Sequence, residues 1–102
     1  MPELIHPDDL HEVKRRTDLA AVIEARTPLS PGPGDHLIGR CPLHEDPHRK
    51  FNVRPHRGRW HCFGCGAGGD VVKFVMCTED LSFAQAVQRL AAAAGIELRY
   101  VD

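Results

Sequence analysis

The chain has 102 residues, 26% of them charged and 42% hydrophobic, with a formal net charge of −1 at pH 7. That length suits one small domain with a modest core, and no apolar run approaches the roughly 18 residues that a membrane span needs. The near-neutral total hides an asymmetry: residues 36–75 carry seven Lys and Arg against three acidic residues, or +4, while residues 1–35 sum to −3 and residues 76–102 to −2. A basic block with interleaved aromatic residues, set between acidic flanks, raises nucleic acid as a ligand class.

In chain order, "HPDDLHEVKRR" places Pro7 and two carboxylates at a helix start and three cations at its end, which suits the helix dipole. Thr17 or Asp18 is positioned to cap a second short helix, "LAAVIEAR", which Pro28 stops. "SPGPGD" reads as a turn or exposed loop. "HLIGRC", "KFNVRP" and "RWHCF" alternate in the manner of short strands. "GAGG" is expected to turn the chain, after which Asp70 caps the helix "VVKFVM". Ser82 and Gln85 have capping-box spacing before "FAQAVQRLAAAA", Gly95 ends that helix, and "IELRYV" reads as a final strand. The fold class expected is a small α+β domain with an antiparallel sheet flanked by helices.

No signal-type apolar stretch is present in "MPELIHPDDLHEVKRR", so an intracellular, reducing location is expected, and the four cysteines are read as metal or redox residues in preference to disulfides. Cys41-x2-His44 and Cys62-x2-Cys65 are separated by 17 residues, the pattern of a closed tetrahedral zinc site. Thiolates and an imidazole suit Zn2+. Gly64 and Gly66 are read as turn residues with positive φ, and Pro42 as presetting the first turn. A redox pair would leave Cys41 and His44 unexplained, haem attachment needs a His where Gly66 stands, and a Cys2His2 finger needs histidines after Cys65. A rival ligand set is His44, His48, Cys62 and Cys65. Cys77, alone on an apolar helix, is expected to pack as a small hydrophobe. No catalytic constellation is legible, and "GCGAGGD" lacks the Lys-Ser/Thr of a nucleotide P-loop.

"C-P-x-H", then "W-H-C-F-G-C-G-A-G-G-D", then "LSFAQAVQRLAAAAGIEL", together resemble the N-terminal zinc-binding domain of bacterial-type DNA primases over almost the whole chain. The resemblance implies a zinc ribbon that binds single-stranded template DNA and supports RNA primer synthesis in replication. It also implies a polymerase domain elsewhere, in cis or in trans, with the replicative helicase as a further partner, and a cytoplasmic, nucleoid-associated location. The organisation expected is one domain over 1–102, with helices in 1–26, the zinc ribbon in 36–68, and helices and a last strand in 70–102. Two departures stand out: His48-Arg49-Lys50 precedes Phe51 where the family usually has Thr-Pro-Ser or a similar run, and these 102 residues hold no polymerase or helicase-binding domain, so either a stand-alone relative or a fragment is expected.

For template contacts, Arg49, Lys50, Arg54, Arg57 and Arg59 are phosphate candidates. Trp60, His61, Phe51 and Phe63 are stacking candidates, and Asn52 is a base-edge candidate. Strand alternation puts Lys50, Asn52 and Arg54 on one face and Phe51 and Val53 on the other, so Phe51 is expected in the core. Trp60 shares a face with Cys62 and not with His61, and its exposure is left open. A different reading is a stand-alone zinc ribbon that docks, through its acidic helices, on a replication or mobile-element protein.

Overall fold

The computed structural model describes residues 4–45 and 48–101. Its elements are β1 (Leu4–Ile5), α1 (Pro7–Arg16), α2 (Leu19–Glu24), β2 (Leu29–Pro31), β3 (Leu37–Gly39), β4 (Phe51–Arg54), a 3-10 turn (Pro55–Arg57), β5 (Arg59–Cys62), β6 (Gly68–Gly69), α3 (Val71–Glu79), α4 (Phe83–Ala94) and β7 (Tyr100–Val101). The helices begin where side chains satisfy their first free N–H groups. Asp18 caps α2 and Asp70 caps α3. Ser82 and Gln85 close a capping box on α4, and Gly95 ends that helix at φ 72°. His6 caps α1, Pro7 opens it, and Lys14, Arg15 and Arg16 lie in its last turn. This is the small α+β class expected from the sequence.

β2 to β6 form one antiparallel sheet of five strands in the order β2-β3-β4-β5-β6. Its central pair sets the rest. Phe51 faces Cys62 and Val53 faces Trp60 on the covered side, while Asn52 faces His61 and Arg54 faces Arg59 on the open side. Period-two alternation makes this division absolute along a strand. Phe51, Val53, Trp60 and Cys62 are buried with Val72, Phe74 and Val75 of α3 and Val87 of α4. Phe51 and Trp60 stack at 5.5 Å, and Trp60 meets Phe74 edge-on at 5.7 Å. The Trp60 indole N–H donates to the Asp70 carbonyl at 2.8 Å, so the residue that caps α3 also ties that helix to the sheet.

Several local expectations change. Trp60 is 2% exposed, because it alternates with His61 toward the helices; it is not a free stacking surface. Cys77 is exposed and not packed in the core, since it follows Lys73 by one helical turn on the outward stripe of α3. Ser30 and Pro31, read as loop, pair in β2 with Ile38 and Leu37. Gly68 and Gly69, read as turn, pair in β6 with His61 and Trp60. The final strand is confined to Tyr100–Val101 and pairs with β1, an element the sequence did not announce. No helix among the described residues is long and apolar enough to cross a membrane.

Asp9 holds this terminal ribbon to α1. Its carboxylate accepts the Arg99 backbone N–H at 2.7 Å and an N–H of the Arg99 guanidinium at 2.9 Å. The Arg99 side chain and backbone N–H hold the Asp9 carboxyl below the usual range. A depressed carboxylate contributes stability above its unfolded value of about 3.9 and loses it as pH falls through the folded value. Asp9→Asn should therefore lower the melting temperature at neutral pH and flatten its fall below about pH 4, as read by circular dichroism across a pH series. Equal acid sensitivity in the variant and the parent would remove Asp9 from this role.

Candidate metal centre and nucleic-acid interface

Two turns bring four ligand side chains together. Cys41 and His44 lie on the turn after β3, while Cys62 is the last residue of β5 and Cys65 lies on the turn that follows it. The donor atoms of Cys41, His44, Cys62 and Cys65 all fall within 4.8 Å of one another. Tetrahedral zinc with bonds of about 2.0–2.3 Å needs its ligand atoms about 3.3–3.8 Å apart, so small side-chain adjustments suffice. His44 Nε2 is 3.1 Å from Cys62 Sγ. The second turn is a thiolate cradle: the N–H groups of Gly64 and Cys65 point at Cys62 Sγ from 3.3 and 3.4 Å. Gly66 makes the turn at φ 81°, with its N–H on the Cys62 carbonyl at 2.9 Å. Gly64 has no positive φ, contrary to expectation; it is small for a different reason. A Cβ there would stand 3.1 Å from His44 Cε1, so glycine gives the imidazole room to reach the cluster. His48 of the rival set is not in the cluster.

The thiols are poised differently. Burial raises Cys41, and repulsion from Cys62 and Cys65 adds to it, leaving it at about 12 despite the Leu43 N–H. Burial also works against Cys62, but the N–H groups of Cys65 and Gly64 and the His44 ring outweigh it and lower that thiol to about 7. Zinc capture must therefore displace the Cys41 proton at any physiological pH, and the Cys62 proton mainly below about pH 7. Each displaced proton makes affinity rise about tenfold per pH unit. From these two thiols, apparent zinc affinity should climb more steeply below about pH 7 than above it. Competition with a chromophoric chelator over a pH series measures this, and a pH-independent affinity would contradict it.

The sequence profile of the CHC2 zinc finger matches residues 5–102. The chain belongs to the CHC2 zinc-finger family. The DNA primase of Streptomyces coelicolor is 42% identical over 98 residues, covering 96% of this chain and 15% of its own length. That of Thermotoga maritima is 39% identical over 95 residues, covering 93% and 17% respectively. The crystal structure of the Aquifex aeolicus primase zinc-binding and RNA polymerase domains superposes with a TM-score of 0.82 at 37% identity, covering 89% of this chain and 22% of that one. The chain thus spans about one-sixth of the length of the curated relatives it matches. Zn2+ is the cofactor of this CHC2 finger, and Cys41, His44, Cys62 and Cys65 are placed to hold it.

Beside the metal turn of the CHC2 finger, the open face of the sheet forms a groove of about 560 Å³. Asn52, Arg54, Arg57, Arg59, His61 and Phe63 line it. Phe63 is 64% exposed and packs edge-on against the His61 ring at 4.6 Å. Gly66, Gly68 and Gly69 complete the groove, so one flank is bare backbone. A Cβ on Gly68 would stand 2.9 Å from His61 Nδ1. Sequence reasoning took Gly68 and Gly69 for a turn; their signal was a glycine pair opposite a polar aromatic strand.

Other predicted contacts lie elsewhere. Arg49 is at φ 53°, donates to Ser30 Oγ at 2.7 Å and lines a separate recess with Thr27, Pro28 and Arg40. Lys50 is exposed but does not line the groove. Trp60 borders the groove with its ring committed to the core. Most cations of the helices and of the segments that follow them are already matched: Arg15 and Arg16 with Glu12, Lys14 with Asp70, Arg26 and Arg89 with Glu79, and Arg99 with Asp9. Among the described residues, the side chains of Arg54, Arg57 and Arg59 make neither an ion pair within 4 Å nor a hydrogen bond.

Proposed function

We propose that this CHC2 finger is the zinc-dependent, single-stranded template-binding module of a bacterial-type DNA primase, acting with a polymerase domain in cis or in trans. The observation that carries the reading is the cluster of unmatched arginines, Arg54, Arg57 and Arg59, in one groove beside the metal turn. Arg59 feels the Asp70 charge without a direct bond to it, and the three guanidinium groups otherwise crowd like charge, which a polyanion relieves while releasing its own condensed counterions. Phe63, backed by His61, offers a π-face to a base, worth about 1–3 kcal/mol per stacked base, and Asn52 offers a donor and an acceptor to a base edge. Zinc, when bound, supplies the cross-link that keeps the two turns, and hence β5 and Phe63, in place. Its four ligands come from the protein, so it is read as structural. Primer synthesis itself, helicase contact and a nucleoid location belong to the same proposal.

The test uses the zinc-loaded chain and a fluorescent single-stranded oligonucleotide. Weak binding that falls steeply with salt is expected, together with stimulation of primer synthesis when the chain is added to a primase polymerase domain lacking its own finger. Ribonucleotide incorporation by the chain alone would refute the non-catalytic assignment. Affinity that ignores salt, and is lost when acidic residues of the helices are altered, would replace template binding with protein docking.

A further inference from the structure

A second basic recess lies on the other side of the β4–β5 hairpin tip. It measures about 620 Å³ and lies between that tip and the second half of α1. His11, Lys14 and Arg15 line it from the helix, and Arg57 and Arg59 from the hairpin. Arg57 and Arg59 line the sheet groove as well, so the two recesses meet at the pair of unmatched guanidinium groups. Two carboxylates also border the recess, but both are occupied. Asp18 Oδ1 accepts the Ala21 N–H at 3.2 Å, and Asp70 accepts the Lys73 N–H at 3.0 Å and pairs with Lys14 at 2.9 Å. Arg15 is held by Glu12 and Lys14 by Asp70, so the surplus positive charge of the lining comes from Arg57 and Arg59, set against Asp18 and the Asp70 charge that Arg59 also feels. The Lys14 ammonium has three donors, so its contact with Asp70 leaves others to offer. No Phe, Tyr or Trp lines this recess, in contrast to the sheet groove. It is suited to phosphate and not to a stacked base.

We propose that this cleft is a second phosphate subsite, taking the sugar-phosphate backbone of a strand that leaves the sheet groove over Arg57 and Arg59. The proposal rests on the template-binding reading and extends its footprint around the hairpin tip to α1.

Oligothymidylates of about 4 to about 16 nucleotides, the range of known single-strand footprints, test it with the zinc-loaded chain. Two variants probe the cleft: Lys14→Gln removes a donor, and His11→Glu adds a negative charge without removing Lys14. Each should weaken the longest oligonucleotide about tenfold, the lower end for one hydrogen bond to a charged group, and lower the magnitude of its salt slope by about 0.7. Each should leave the shortest oligonucleotide that binds, and the zinc content, unchanged. An equal loss at every length, or no loss at any length, overturns the second subsite. Arg54→Gln, which alters only the sheet groove of these two recesses, should weaken all lengths. If the unaltered chain binds no oligonucleotide at low salt, the template reading itself falls and the subsite with it.

Discussion

Cys65→Ser is expected to abolish tight zinc binding and, with it, the cooperative folding of the sheet. Cys65 is the more informative of the cysteines because it is exposed, whereas Cys41 and Cys62 are buried. Its replacement removes a ligand without opening a cavity, so any collapse reports on the metal. Structural zinc supplies about 10–16 kcal/mol of apparent binding energy, against a total stability of about 5–15 kcal/mol for an ordinary domain. Phe51 and Cys62 face each other across β4 and β5, so metal at the second turn and the aromatic cluster on α3 brace the same strand pair. Loss of the ion should expose Trp60, whose indole is held by Asp70, and red-shift its fluorescence. The measurements are metal content after dialysis and tryptophan emission during thermal unfolding. His48→Ala should keep its zinc; zinc loss there with full retention in Cys41→Ala would reinstate the rival ligand set. Cys65→Ser that unfolds as cooperatively as the parent would show that the ion is dispensable for the core.

Replacing Arg54, Arg57 and Arg59 together with Gln should weaken single-stranded DNA binding about a hundredfold, at about 1 kcal/mol per lost contact. The salt dependence should flatten by about two in log–log slope, from about 0.7 per phosphate contact. These side chains have no intramolecular ion pair to lose among the described residues, so stability should hold or rise slightly as their mutual repulsion is removed. That separates this test from one at Lys14 or Arg99, where substitution breaks a bridge as well. Anisotropy titrations at several salt concentrations, with zinc content and melting temperature measured alongside, give the result. An unchanged slope would place the polyanion elsewhere on the surface. The same substitutions made around Arg49, which is bound to Ser30 outside the groove, should have the smaller effect.

Local chemistry was readable from the chain alone. The two short-spaced ligand pairs specify a tetrahedral soft-donor site because each pair closes on an ion from a single turn, whatever the surroundings. The caps at Asp18, Asp70 and Ser82 act on backbone within three residues, so composition reveals them. Alternation in "KFNVR" assigned Phe51 to the core and Asn52 and Arg54 to the open face. What needed the tertiary structure involves partners distant in sequence, or the choice of which face is covered. Leu4 pairs with Val101, and Asp9 with Arg99, across nearly the full length of the chain. Parity placed Trp60 with Cys62, but its burial required α3 to cover that side. Cys77 lies in an apolar stretch yet faces outward, because helix packing selected the stripe holding Phe74 and Val75. Arg49 and Arg54 are alike in sequence; only the fold ties one to Ser30 and leaves the other unmatched beside Arg57 and Arg59. A charge is available to a ligand when the fold has left it without an internal partner, and that is a property of three-dimensional neighbours.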